Sequence, residues 1–442
     1  MSDIPSVKVY ENITPANSGT GEGVLEYDIL ADAVKSYEPS HAVRSAEAWS
    51  SPVDTLDEER TAKQLAMEYL LRTALKGVES ASIQSQYLWA ERFTQASIEL
   101  LGEPDRNEVT GLIFQELEQL NALRSNQDVD QTMLNFLLDT YQNILGPDTS
   151  YERREDDSED RELEKAAIAE YGENLRDRYQ PIFDLVDDAE IEEFDPESLQ
   201  NLFTRAIQWM AENHDPDWAL WEVVYRNATS LDVVASKRQI RIGSRREPAS
   251  PVMAKKLLAH ELLVHALRGQ NAYASGDQML LKGYPGFVDT DEGLGKISEE
   301  SIGGISDIPG RDRYVDIALA LGTVNGIQKT RQELFQIHLS RSIINAQASS
   351  SYDETMMPIL VKRAWSSVDR IYRGGKGDSS GTIQAVYTKD IVYYTGYKKM
   401  AAYLSQQRAI GKTMPEIFDF LLQGRFDPTN PKHIEQLAKA QV

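Results

Sequence analysis

Apolar residues recur every three or four positions along the first part of the chain. This spacing places apolar side chains on one face of a helix. It predicts four helices, over about 57–76, 82–101, 106–124 and 130–145. Residues 1–54 show no such period and are rich in Ser, Pro, Gly and Asn, so we expect an irregular arm there. The pattern therefore predicts an N-terminal arm followed by a helical domain over residues 55–150.

Charged residues dominate the stretch that follows. We interpret residues 151–195 as a charged linker leading into a long helix that reaches Tyr179. Helical spacing resumes over 196–213, where Asp195 can cap the helix and a proline occupies its first turn. The alternating segment KRQIRIGSR, residues 237–245, predicts a strand. These elements begin a third predicted domain, residues 196–442, and the predicted fold class is α+β, mainly α, with a small sheet.

Residues 257–268, LLAHELLVHALR, form an apolar helix that carries ionisable side chains. Buried imidazoles and carboxylates need partners, and a divalent metal could pair with them together. His260 and His265 stand five positions apart, which separates them by roughly 140° on an ideal helix. A π-type bulge, or an equivalent inserted residue, would bring both to one ion. The alternative is a pair of core histidines bonded to carbonyl groups.

Two histidines leave a catalytic zinc short of its usual three protein ligands. Glu292 is the candidate for the third position, because it opens a predicted helix that Thr290 or Asp291 could cap. Glu299 and Glu300 are rivals for the same role. A solvent-facing Glu292 is the remaining alternative.

Composition restricts the chemistry further. The chain has no cysteine, which excludes disulfides, thiolate ligands and a cysteine nucleophile. Its formal charge of −24 argues against nucleic acid or an anionic membrane as the main partner. No apolar run approaches a membrane span and the start lacks signal-peptide features, so we expect a cytoplasmic protein. The oligomeric state stays open.

The charge is unevenly distributed. Residues 360–412 contain ten Lys or Arg against three Asp and no Glu. This basic segment could receive an anionic group within an otherwise acidic protein.

Four short blocks resemble one known family. They are HELLVH, DEGLG, RIYRGG and YTKDIVYYTG, in that order along the chain. Together they resemble the HExxxH metallopeptidases that include the tubulin tyrosine carboxypeptidases (microtubule-associated detyrosinases) and their bacterial relatives. The resemblance covers about residues 218–403. The chain departs from the family at Leu262–Leu263–Val264, where members often have Ile-Gly-Thr, and at Gly295, where they usually have Ala.

The resemblance implies a zincin-like catalytic domain over residues 196–442. It implies Zn²⁺ held by His260, His265 and Glu292, with Glu261 as the general base. Tyr393 matches a family block, and we assign it, with Tyr394 as the neighbouring alternative, to stabilise the oxyanion. Three basic residues are assigned to the terminal carboxylate or an acidic tail of the substrate, because a guanidinium fork matches a carboxylate; they are Arg370, Arg373 and Lys389.

The predicted function is that of a zinc-dependent carboxypeptidase. It would remove C-terminal residues from a peptide or protein tail by Glu-assisted attack of zinc-bound water. One alternative is a non-catalytic adaptor with a structural metal or none, against which Glu261 argues, since a structural site needs no base. Another is a zinc endopeptidase or dipeptidyl peptidase, which a cleft open at both ends would favour. We expect no metal role for the other histidines, His41, His214, His338 and His433.

Overall fold

A computed structural model of the chain describes most residues from 90 onward. The described residues are 90–147 apart from 92, 96 and 100, then 156–303 apart from 285, then 308–372 and 385–440. The predicted arm and the predicted helix over 57–76 lie outside them. The chain divides into two compact units, residues 1–153 with 310–391 and residues 154–309 with 392–442. The domain boundaries drawn from the sequence stay a prediction.

Helices make up most of the described residues. In chain order they are α1 (Arg106–Ala122), α2 (Gln131–Leu145), α3 (Asp156–Asp187), α4 (Pro196–Asn213), α5 (Pro251–Leu257), α6 (Leu267–Ser275), α7 (Gln278–Lys282), α8 (Val288–Gly303), α9 (Arg311–Leu321), α10 (Arg331–Ala348), α11 (Met357–Ile371), α12 (Ile391–Ala409), α13 (Met414–Leu421) and α14 (Pro431–Ala440). Described positions from Ala90 to Leu101 are also helical, in agreement with the second predicted helix. No helix in this described part is both long and apolar enough to cross a bilayer.

The first unit packs α1 and α2 with α9, α10 and α11. Both N-terminal helices begin at an aspartate whose carboxylate accepts a hydrogen bond from a backbone N–H of the first turn, Asp105 for α1 and Asp130 for α2. Their apolar stripes are buried, as in Leu134 and Leu137 of α2. The predicted helices over 106–124 and 130–145 are therefore confirmed to within two residues.

The second unit contains a three-stranded sheet with β1 (Glu222–Arg226), β2 (Leu231–Val234) and β3 (Gln239–Gly243). The strand order is β1-β3-β2, with β1 parallel and β2 antiparallel to β3. Ile240 and Ile242 of β3 are fully buried, which is the alternation that the sequence displays. The strand predicted over 237–245 corresponds to β3, and the fold class α+β, mainly α, is confirmed.

The long helix α3 runs farther than its sequence suggested. It was expected to reach Tyr179, but it continues to Asp187. Tyr179 has non-helical dihedral angles two residues before Pro181, because proline restricts the preceding backbone and removes a hydrogen bond. The proline therefore kinks this helix instead of ending it. Helix α4 matches its predicted bounds, with Asp195 as its cap.

Two glycines let α8 and α12 cross with their backbones in contact. A Cβ atom on Gly293 would fall on the carbonyl group of Gly396, and one on Gly396 would fall on the carbonyl oxygen of Asp289. Backbone atoms cannot move aside as a flexible side chain can. Any larger residue at either position would therefore force the two helices apart.

We expect Gly396→Ala to lower the free energy of unfolding by about 1–3 kcal/mol, the usual scale for overpacking a close contact. Chemical denaturation followed by circular dichroism measures it. Gln406→Ala, at an exposed position of the same helix, is the matched control and should change stability by less than about 0.5 kcal/mol. Equal stability of the two variants would contradict the close crossing.

Candidate metal centre

The helix that carries the histidine motif changes its winding where the histidines lie. Ser250 caps α5 by accepting a hydrogen bond from a backbone N–H. A π-helical segment, Leu258–Ala266, follows α5 directly. Its wider turn brings side chains five positions apart onto one face. His260 and His265 consequently face each other with their Nε2 atoms 2.9 Å apart, and the predicted π-type bulge is confirmed.

Every residue of the π-helical segment is buried. The intervening residues Leu262, Leu263 and Val264 are fully buried in the core of the second unit. The ionisable side chains of His260, Glu261 and His265 are also removed from water, with at most 9% of their surface exposed. They must therefore find their partners within the protein.

Helix α8 supplies those partners to the outer nitrogen of each ring. Glu299 Oε1 lies 2.6 Å from His260 Nδ1, and Asp291 Oδ2 lies 2.9 Å from His265 Nδ1. Both distances are those of ion pairs, although neither contact has the angles of a well-formed hydrogen bond. Because a carboxylate lies next to the outer nitrogen of each ring, Nε2 is the inward-facing nitrogen that could ligate a metal ion. Metal-ligating histidines in proteins commonly have this support.

Glu292 completes a set of three inward-facing atoms. Its Oε2 atom lies 3.6 Å from His260 Nε2 and 3.9 Å from His265 Nε2. Two imidazole nitrogens and one carboxylate oxygen form the donor set that catalytic zinc sites often use. The sequence interpretation of the helix start was wrong, however. Helix α8 begins at Val288 instead of at Glu292, because the preceding turn already adopts helical hydrogen bonding.

The residues that competed with Glu292 for the third position have other partners. Glu299 contacts the outer nitrogen of His260 and also accepts hydrogen bonds from Lys296 Nζ at 2.8 and 2.9 Å. Glu300 pairs with Lys256 at 3.4 Å. Glu299 therefore contacts the outer nitrogen of the candidate ligand His260, and Glu300 contacts neither ring.

Glu261 is a second carboxylate close to the inward nitrogens. It forms a group with His260 and His265 in which the potential ligand atoms all lie within 4.8 Å of one another. Distance alone therefore does not separate the roles of Glu261 and Glu292, and their electrostatic environments have to be compared.

Burial disfavours ionisation of both Glu261 and Glu292, but the net direction of the pKa shift differs between them. For Glu292 the contact with His260 and the charges of both imidazoles outweigh burial and lower its pKa. For Glu261 burial dominates and raises its pKa. The first environment suits a permanent anionic ligand, and the second suits a group that accepts and releases a proton.

The same carboxylates create a strong preference for positive charge between the rings. Burial opposes protonation of His260, but Glu292 and Glu299 outweigh it and raise its pKa to about 10. A proton therefore occupies the imidazole at neutral pH unless another cation replaces it. This preference, together with the donor set, fits a divalent metal ion.

Asp291 links the histidine cluster to a buried arginine. Arg268, 1% exposed, donates to Asp291 Oδ1 at 2.6 Å and to the carbonyl oxygens of Gly424 and Phe426. Burial opposes ionisation of Asp291, but His265 and Arg268 hold its pKa far below the usual range. From the sequence, Asp291 was predicted only as a possible helix cap, and no role was predicted for Arg268. The available signal was spacing, since Arg268 lies three residues after His265.

Gly295 forms the surface on which the His260 ring rests. A Cβ atom at this position would lie 2.6 Å from His260 Cε1 and 2.8 Å from both ring nitrogens. The HExxxH metallopeptidases that the sequence resembles usually have alanine at this position. The glycine lets α8 approach the ring more closely than an alanine would.

The structure places the predicted tyrosines on α12, in the same unit as the histidines. Tyr393 is half-buried, and Lys296 Nζ of α8 lies 5.5 Å from the centroid of its ring. Tyr394 is only 2% exposed and packs in the interior. Tyr393 is therefore the more accessible of the two candidates, and its oxyanion role stays a prediction.

The predicted carboxylate-binding residues lie elsewhere in the chain. Arg370 and Lys389 belong to the first unit, and Arg373 lies outside the described residues. Arg370 donates through Nε and Nη2 to the two oxygens of Asp390, at 2.9 and 2.8 Å. Its guanidinium already engages a carboxylate, and the substrate role of all three residues stays a prediction.

The remaining histidines have structural partners or are not described. His214 packs against Tyr179 and Trp209, His338 contacts Asp316, and His433 accepts from the backbone N–H of Asp427. His41 lies outside the described residues. Within the described ranges, no group of three potential ligands contains any of these histidines.

Comparison with known families identifies a similarity at the C-terminal end. Residues 355–442 match the family model described as MATCAP, microtubule-associated tyrosine carboxypeptidase. The match covers about a fifth of the chain and includes Tyr393 but neither the π-helical segment nor Glu292. No curated protein and no solved structure matches the chain. The similarity agrees with the resemblance of the YTKDIVYYTG block, and the assignment of the HExxxH block stays a prediction.

We expect Glu299→Gln to weaken zinc binding by about 10- to 100-fold, the usual cost of losing the carboxylate behind a ligating histidine. Competition with a chromogenic chelator measures the affinity. Glu300→Gln is the matched control, because Glu300 is the next residue on the same helix and contacts neither histidine. Equal affinities of the two variants would remove Glu299 from the metal centre.

Proposed function

We propose that the chain is a zinc-dependent carboxypeptidase that removes a residue from the C-terminus of a peptide or protein tail. The observation that carries this proposal is the convergence of His260 Nε2, His265 Nε2 and Glu292 Oε2 beside the buried carboxylate of Glu261. A purely structural metal needs no proton acceptor next to it. Glu261 therefore favours hydrolysis over the adaptor alternative.

In this proposal His260, His265 and Glu292 hold Zn²⁺, and Glu299 and Asp291 orient the two rings. Three protein ligands leave one position for water or substrate, as in catalytic zinc sites. When bound, zinc polarises the scissile carbonyl and lowers the pKa of a water molecule toward about 7.

Glu261 performs the proton transfers. Its carboxylate accepts a proton from the attacking water, whose oxygen forms the new bond to the carbonyl carbon. It then delivers that proton to the amine nitrogen as the C–N bond breaks, so that two neutral termini separate before their own ionisation. A carboxylate with a raised pKa is suited to both halves of this cycle.

Tyr393 is the proposed donor to the oxyanion. The glycine contact between α8 and α12 holds its helix directly against the helix that carries Glu292. The ammonium of Lys296 also lies 5.5 Å from the centroid of its ring, a cation–π contact that favours this ring position. A fixed hydroxyl donor in a site of low polarity stabilises the developing negative charge.

The C-terminal direction of cleavage rests on the family match. The description of that family names a tyrosine carboxypeptidase, and we extend to this chain the removal of a C-terminal tyrosine. We do not extend the microtubule association, because a chain of formal charge −24 repels an acidic tail everywhere except near its basic segment, residues 360–412.

The chain should contain about one zinc per molecule after purification and dialysis, because three protein ligands usually hold catalytic zinc tightly. His260→Ala and Glu292→Ala should both lose the metal, as measured by mass spectrometry. His214→Ala is the control, since His214 is exposed on another helix end and should leave the zinc content unchanged. Absence of metal from the unaltered chain, even after zinc is added back, would refute the proposed function.

Glu261→Gln should retain zinc while the rate of tyrosine release falls at least about a hundredfold, the usual scale for losing a general base. The substrate is a blocked peptide ending in tyrosine, and released tyrosine is quantified by chromatography. Glu300→Gln, which removes another partly buried glutamate of the same unit, should keep normal activity. A fully active Glu261→Gln chain would show that another group accepts the proton.

A further inference from the structure

The two carboxylates that contact the outer ring nitrogens are each paired with a cation. Glu299 accepts hydrogen bonds from Lys296, whose side chain is 24% exposed. Asp291 accepts one from Arg268, whose side chain is 1% exposed. The Arg268 pair is therefore closed to solvent, and burial of this charge is costly unless its donors are satisfied within the protein.

Arg268 satisfies its donors on three separate partners. Its Nη1 atom donates to Asp291 Oδ1 at 2.6 Å, Nε donates to the carbonyl oxygen of Gly424 at 2.5 Å, and Nη2 donates to that of Phe426 at 2.9 Å. The guanidinium carbon also lies 5.6 Å from the centroid of the Phe426 ring. A planar fork that is held at all three of its nitrogens has a fixed orientation. The acceptor segment, residues 424–426, therefore sets the position from which Arg268 reaches Asp291.

The acceptor segment is itself fixed by backbone hydrogen bonds. Arg425 N donates to Leu280 O, and Tyr284 N donates to Arg425 O, both at 2.9 Å. Thr290 Oγ1 also lies within hydrogen-bond distance of Phe426 O, at 3.2 Å. Because Thr290 belongs to α8 and Arg268 to α6, the acceptor segment holds both helices. All of these residues lie in the second unit.

Asp291 uses its two oxygens in different directions. Oδ1 accepts from Arg268, and Oδ2 lies 2.9 Å from His265 Nδ1. A carboxylate held at one oxygen cannot turn the other away without losing that first, charge-assisted hydrogen bond. The imidazole that it contacts keeps its Nε2 atom 2.9 Å from His260 Nε2. The support therefore runs from the acceptor segment through Arg268 and Asp291 to the ring of His265.

We propose that Arg268 is a positioning residue of the metal centre, which acts through Asp291 to hold the His265 ring in the orientation that binds zinc. This inference rests on the proposed function for the identity of the metal. Because Arg268 is only 1% exposed, its effect must pass through the residues that it contacts. The acceptor segment lies within the family-matched residues 355–442, so that region would support the histidine motif as well as supply Tyr393.

The test is a double-mutant cycle with zinc affinity as the readout, measured by competition with a chromogenic chelator. Arg268→Lys keeps the charge but donates from a single nitrogen, which cannot reach all three partners of the fork. We expect this variant and Asp291→Asn each to weaken zinc binding by about 10- to 100-fold, the usual cost of losing support for a ligating histidine. The combined variant should bind zinc within about twofold of Asp291→Asn alone, because both changes interrupt one path.

Two controls separate this role from a general loss of stability. Glu299→Gln combined with Arg268→Lys should show multiplied losses, because Glu299 contacts the other ring. Arg176→Lys should leave zinc affinity unchanged, since Arg176 donates to the carbonyl oxygen of Ser301, at the opposite end of α8 from Asp291.

Cobalt provides a readout of ligand geometry that does not depend on activity. The visible absorption of bound Co²⁺ reports the arrangement of its ligands. When saturated with Co²⁺, Arg268→Lys should show an altered spectrum, whereas Arg176→Lys should match the unaltered chain. If Arg268→Lys does not fold, Arg268→Gln, which keeps two N–H donors without the charge, takes its place in the cycle.

Three results would overturn the inference: zinc affinity unchanged in a folded Arg268 variant, zinc affinity unchanged by Asp291→Asn, or losses that multiply when these two changes are combined. Tyrosine release by the unaltered chain is measured separately. A chain that binds zinc but releases no tyrosine would refute the proposed function, and the cycle would still decide the role of Arg268. A chain that binds neither zinc nor Co²⁺ would refute both.

Discussion

The π-helical winding of Leu258–Ala266 is the constraint on which the candidate centre depends. Histidines five positions apart point in different directions on a regular α-helix, and only a wider turn lets both rings meet. The segment keeps this winding inside a core that buries all of its residues, so the apolar packing of Leu262 and Leu263 helps to hold a backbone that is rare in isolation. The π-helical winding therefore sets the positions of both imidazoles. Neither histidine ring could take another position unless the winding of the helix changed.

Helix α8 is the complementary half of that arrangement. It brings three carboxylates to the rings, with Asp291 and Glu299 behind the outer nitrogens and Glu292 at the inner ones. Glu299 stands about two turns beyond Asp291, so the two acids share one helix face, and each serves a different histidine. Two glycines on the same helix give it a close approach in two directions, Gly295 toward the His260 ring and Gly293 toward α12. One short helix therefore sets the ligand positions, their support and the position of Tyr393.

Much of the local structure could be predicted from the sequence, because it is encoded by neighbouring residues. The cap at Asp195, the strand around Ile240 and the bulge required by the five-residue spacing all follow from local chemistry. Roles that depend on packing could not be obtained in this way. Glu299 could be distinguished as a supporting residue only once the orientation of α8 was known. The predicted carboxylate-binding set stays open for the same reason.

The electrostatics of the centre follow from one requirement, a positive charge between the imidazoles. Burial alone would keep His260 neutral, but Glu292 and Glu299 reverse this and raise its pKa to about 10. A proton and a metal ion compete for the same nitrogens, so the carboxylates that stabilise the protonated ring also stabilise a cation that displaces the proton. The charge of such an ion would compensate the acids on α8. A buried group of acids and two histidines is costly as a purely structural core. Under the proposed function the same group is explained as the set of side chains that would hold a metal ion.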